Sequence, residues 1–151
     1  MGGRFRYALE PVRLRRAWEL DALRLVLGES QAALAQQQAA LDAAQQRSEA
    51  AAAGWHSLAG AGQALTADRL LLAQRYIADC RQQLQAAQAA LSARQAEHEE
   101  LVAQVLAAQR ALDAVEKHRK QALGEFRKAR QSLEFKDADD QWGILQAGIG
   151  R

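Results

Sequence analysis

Between Gln63 and Leu123 the chain contains neither glycine nor proline. Across and beyond that stretch, residues recur every seven positions: Leu70, Ile77, Leu84, Leu91, His98, Val105, Leu112, Arg119, Phe126 and Leu133. Three residues after each of the first nine comes a second series: Ala73, Cys80, Ala87, Arg94, Leu101, Ala108, Val115, Ala122 and Ala129. This spacing predicts a long helix with a coiled-coil seam. At 1.5 Å per residue, a helix over about 66–135 spans roughly 105 Å. A compact domain of this length has a radius of gyration of only ~15 Å. The expected form is therefore a rod.

Composition agrees. The chain has 151 residues, of which 35 are Ala, 21 Leu and 19 Gln. These residue types favour helix. Hydrophobic content is 49%, but much of it is Ala, which offers little side chain to bury. A narrow helix–helix seam is expected in place of a broad core. The single Cys excludes a disulfide framework within the chain. No apolar run approaches the ~18 residues of a membrane span, and no signal peptide precedes the first charges. The expectation is a cytoplasmic protein.

A first helix is predicted over about 9–58. Pro11 falls in its first turn, where a missing N–H costs nothing. Leu20, Leu27, Leu34, Leu41, Ser48 and Trp55 form its repeat, with Leu23, Ser30, Gln37, Ala44, Ala51 and Leu58 as companions. Gly28 costs about 1 kcal/mol relative to Ala within it. Gly54, Gly60 and Gly62 then cluster, predicting a turn over about 59–65. Thr66 and Asp68 read as the N-cap and first-turn acid of the second helix. The fold class is therefore all-α: two long helices in an antiparallel coiled-coil hairpin, the second longer, forming one domain over 1–136. Residues 137–151, with three Asp, three Gly and an isolated Trp-Gly-Ile-Leu, read as a flexible tail.

Folding about residue 62 sets Leu41 near Leu84, Leu34 near Leu91, Leu27 near His98 and Leu20 near Val105. Leu9 then lies opposite Val115 and Glu116, and helix 2 overruns helix 1 by about 20 residues, or ~30 Å. The overrun carries Ala122, Phe126, Ala129 and Leu133. The expectation is an apolar stripe with no partner in its own chain, and so a docking face. The alternative is that residues 1–8 fold back along it, or that the register is shifted.

Net charge is +2, but it is unevenly placed. Residues 1–24 carry +3, residues 25–116 carry −4, residues 117–136 carry +5 and residues 137–151 carry −2. A hairpin brings the first and third segments to one end. That end should be basic and should attract acidic partners in a salt-sensitive way.

No catalytic constellation stands out. His56, His98 and His118 lack metal-ligand spacing, and Glu97-His98-Glu99-Glu100 is not a His-Glu-x-x-His motif. His98 and Cys80 fall on the seam, as a tolerated core polar residue and a small hydrophobe. Gly60-Ala61-Gly62 and Gly148-Ile149-Gly150 lack the Lys-Ser/Thr ending of a phosphate loop. No enzyme activity and no cofactor are expected. Aromatics are too few for single-strand stacking, and no specific nucleic-acid reading motif is present. Trp142 is a candidate docking anchor.

The amino terminus carries a pattern: Phe5-x-Tyr7-x-Leu9-Glu10-Pro11-Val12-x-Leu14-Arg15, followed by Glu19. It resembles the opening of the FliJ/YscO (SctO) family, small proteins of flagellar and injectisome type III secretion. The length, the two long helices, the basic stretch late in helix 2 and the run Glu134-x-Lys136-Asp137-x-Asp139-Asp140 are similar in general form. The Ala/Gln richness and the Gly-Ile-Leu-Gln-Ala-Gly-Ile-Gly end depart from it.

The resemblance implies a central stalk. Its end bearing both termini enters the pore of the hexameric export ATPase, promotes ring assembly and hydrolysis, and links the ring to the export gate protein. Secretion chaperones are further implied partners. The location is cytoplasmic, peripheral to the inner-membrane apparatus. On this reading Arg13, Arg15, Arg16, Arg119, Lys120, Arg127 and Arg130 supply charge to the pore contact. Phe5, Tyr7, Phe126 and Leu133 supply apolar anchors. A stalk is expected to be monomeric alone. The alternative function is a structural or chaperone-like dimeric scaffold with no ATPase contact.

Overall fold

Tyr7 is where the chain turns into its first helix. Its carbonyl accepts the Glu10 N–H at 3.1 Å, and the Leu9 carbonyl accepts the Arg13 N–H at 3.0 Å. Helix α1 runs from there as Glu10–Gly60. Pro11 is its second residue, so its missing N–H removes no helical bond. In this computed structural model, residues 3–60, 62 and 66–149 are described. Part of the expected turn, 61 and 63–65, lies outside the described residues. So do Met1, Gly2, Gly150 and Arg151.

Gly62 has φ +66°, in the left-handed region where a Cβ is penalised. Thr66 caps the second helix as its sequence suggests. Its Oγ1 accepts the Arg69 N–H at 3.3 Å and its carbonyl accepts the Leu70 N–H at 3.1 Å. Helix α2 then spans Ala67–Ile149. The fold is all-helical among the described residues, with α2 the longer of two helices packed antiparallel.

The described residues form two compact units. One is Leu23–Val105; the other is built from the chain up to Ala22 and from Leu106 onward. In the Leu23–Val105 unit the core is the expected seam: Ala44, Ala51, Cys80 and Leu91 are buried. Most remaining seam positions there are half-buried, with Leu58 and Arg94 exposed. His98 finds a polar partner, its Nδ1 lying 3.0 Å from the Ser30 Oγ. Ser30 stands three residues beyond the expected Leu27. The local register thus differs from the expected one by three residues, and the pairing gives the imidazole a hydrogen-bond partner that Leu27 could not.

In the other unit Leu20 and Leu112 are buried, Leu20 to 2% exposure. Two expectations are corrected here. First, the apolar stripe on α2 does have a partner in its own chain. Residues before Glu10 fold back along α2, and the Phe5 ring meets Phe126 with centroids 5.5 Å apart. The aromatic pair removes apolar area from water, and the chain reaches it as an extended strap. Ala129 and Leu133 stay exposed beyond it. Second, the stretch read as a tail is helical through Ile149, and α2 does not end near 135. Asp and Gly weaken a helix by fractions of a kcal/mol to about 1 kcal/mol each, whereas proline stops it, and no proline lies there. Every described side chain from Gln131 to Ile149 is exposed.

Candidate functional site

The unit that holds both ends of the described chain also holds the residues singled out for partner binding. By sequence its segments carry fourteen Lys and Arg against ten acids, a net +4. The Leu23–Val105 unit carries six against eight, a net −2.

Tyr7 docks the strap. Its ring lies over His118, with centroids 5.6 Å apart. Its hydroxyl is 2.6 Å from His118 Nδ1 and donates at 3.4 Å to the Val115 carbonyl. The Phe5 ring stacks beside Tyr7 at 6.5 Å. These three aromatic contacts and the hydroxyl fix the strap along nearly three turns of α2.

Glu10 ties the helices. Its carboxylate accepts the Arg13 Nε at 3.0 and 2.9 Å and also pairs with Arg13 Nη2. Arg119, from α2, approaches its Oε2 at 3.8 Å. That distance is too long for a hydrogen bond, and Arg119 Nε is left without one. Hydrogen bonding from Arg13, reinforced by the charges of Arg13 and Arg119, holds the Glu10 carboxyl below its ordinary pKa, against a smaller opposing desolvation. Arg13 is raised in turn, first by its hydrogen bond to Glu10. A groove of about 370 Å³ lies beside this cluster, lined by Phe5, Arg6, Tyr7, Glu10 and Arg119.

The candidate residues thus fall into two groups. Phe5, Tyr7, Phe126, Arg13 and Arg119 are brought together in contacts within the chain. The rest stand at the surface. Arg15 and Arg16 pair with Glu19 at 3.1 and 3.6 Å, and Arg130 pairs with Glu134 at 3.5 Å, all on helical i,i+3 or i,i+4 spacing. Lys120 and Arg127 make no ion pair among the described residues, and the same holds for Lys117 and Lys128. Leu133 and Trp142 are 62% and 61% exposed.

Glu10 and His118 were not among the sequence candidates. The i,i+3 spacing of Glu10 and Arg13 signalled their pairing. Nothing local signalled His118, because its partner lies 111 residues away.

A second groove, of about 670 Å³, belongs to the Leu23–Val105 unit and is lined by Leu58, Arg69, Leu72, Ala73, Arg75, Tyr76 and Asp79. The Cys80 thiol beside Tyr76 pushes that phenol's pKa up through a hydrogen bond. Among the described residues no group of three His, Cys, Asp or Glu side chains could hold a metal ion. No described helix is long and apolar enough to cross a membrane. No family model, curated protein or solved structure matches the chain.

Proposed function

We propose that this protein is the central stalk and coupling component of a type III secretion export apparatus. Its basic unit, bearing both ends of the described chain, enters the pore of the hexameric export ATPase and promotes ring assembly and hydrolysis. It links the ring to the export gate protein and works in the cytoplasm beside the inner membrane. The observation that carries this reading is the part played by the amino-terminal motif. Phe5, Tyr7 and Glu10, which carry the family resemblance, are the residues that clamp the strap and α1 to α2. The clamp leaves Lys120, Arg127 and Lys128 outward and without ion pairs among the described residues. Such charges steer an acidic partner without first breaking internal pairs.

The test is a titration of the purified chain into the export ATPase of the same organism, following phosphate release and ring formation. Stimulation saturating near one chain per hexamer supports the stalk. Absence of binding and of stimulation overturns it.

A further inference from the structure

Residues within one sector of α2, from Lys117 to Ile149, share an unusual composition. With about 100° of rotation per residue, Lys117, Lys120, Arg127 and Lys128 fall within one sector about 100° wide. Phe135, Ala138, Trp142, Leu145 and Ile149 continue the same sector toward the helix end. The sector lies on the side of α2 away from Phe126, where the strap docks. It contains no acidic residue. Asp137 and Asp140 lie on the far side with the exposed Leu133 and Ile144, Glu125 stands about 60° beyond the sector's edge, and Glu134 and Asp139 border it. Phe135 is 64% exposed, Trp142 61%, Leu145 59% and Ile149 83%.

We propose that this face is a docking surface for an anionic lipid bilayer, lying in its interface. The four cations make no ion pair among the described residues, so they are available to lipid phosphates. The apolar half places Trp and Phe with two aliphatic side chains, the composition that settles at the boundary between headgroups and acyl chains. The face is a single convex helix surface, and this unit's groove lies elsewhere, beside Phe5 and Arg119. From Gln131 to Ile149 the helix has every side chain exposed and so gains no tertiary packing.

The proposal does not rest on the stalk reading. It adds one consequence to it: Lys120 and Arg127 would serve both the ring and the bilayer, so the two would compete for this unit.

The test uses the full chain carrying W18F and W55F, which leaves Trp142 as the only indole. It is mixed with phosphatidylcholine vesicles, with or without phosphatidylglycerol. The expected result is co-sedimentation only with the anionic vesicles, weakened by salt. Trp142 emission should shift to the blue and be quenched by brominated acyl chains. Reversing the cations (K117E, K120E, R127E, K128E) should weaken binding about a hundredfold or more. L145E with I149E should abolish the Trp142 shift. Circular dichroism should show that each variant keeps its helix.

Equal binding to both vesicle types overturns the proposal. So does binding to anionic vesicles with Trp142 unmoved. A lipid-free Trp142 shift that grows with protein concentration assigns the face to a second copy instead. Because the assay contains no ATPase, its failure leaves the stalk reading intact.

Discussion

Glu10 is a small switch between two arginines. Its carboxyl is held below its ordinary pKa, so its contribution to folding is present above the ordinary carboxylate range. That contribution is lost as the pH falls through the lowered folded value. Acidification below the ordinary Glu value of about 4.3 should therefore loosen the first turn of α1, where Arg13 holds the carboxylate, and with it the strap that precedes it. Glu10→Gln removes the charge at every pH. Arg119 Nε already lacks a hydrogen bond, and the variant strips its ion pair as well. The expected outcome is faster amide exchange around residues 7–13 at neutral pH and loss of the acid-dependent step seen in the parent chain. An unchanged acid profile would show that Glu10 does not hold the strap. His98 makes a second residue-scale case. Ser30→Ala leaves its ring nitrogen half-buried with no partner from α1, at a cost of about 1 kcal/mol in denaturant unfolding. The sequence placed His98 on the seam, but it could not show which hydroxyl would face it. A register difference of three residues leaves the heptad pattern unchanged.

Within each helix, burial follows the repeat that the sequence displays. Leu20, Ala44, Ala51, Cys80, Leu91 and Leu112 are the buried residues among those described, and all six are seam positions. Period and composition made both helices and their pairing legible, because Ala and Leu at heptad spacing have no other way to leave water. The strap was legible only as the alternative that residues 1–8 fold back along α2, since a short extended segment has no period and its partner is remote in sequence. The last turns of α2 were misread because Asp and Gly disfavour helix without terminating it.

Two substitutions test the elements. Leu20→Ala, at 2% exposure, should cost about 2–5 kcal/mol. Gly28→Ala should stabilise α1 by about 0.5–1 kcal/mol. A Cβ at Gly28 meets nothing within 4 Å, and the position is helical. Thermal melts followed by circular dichroism read both. A neutral Leu20→Ala would mean that the seam near the start of α1 carries little of the stability.

For the whole molecule, the question is which charges reach a partner. Counting cations alone overstated how many are available. Arg13 and Arg119 serve Glu10, Arg15 and Arg16 serve Glu19, and Arg130 serves Glu134. Solvent-screened pairs of this kind cost little to break. Still, a charge reversal at any of them alters the chain's own contacts along with the partner's. Arg127 and Lys128 are the cleaner test, since neither makes an ion pair among the described residues. The double variant R127E/K128E should keep the helicity and melting temperature of the parent. It should lose most of its stimulation of the export ATPase, and at low salt the loss should come mainly from slower association. Raising the salt should reduce the parent's stimulation toward the level of the variant, because exposed charges are screened over about 10 Å at 0.1 M. If the variant stimulates as well as the parent at every salt concentration, the pore contact is not electrostatic. The exposed Leu133 and Trp142, on opposite faces of α2, would then have to carry it, and L133A/W142A should remove stimulation where charge reversal did not.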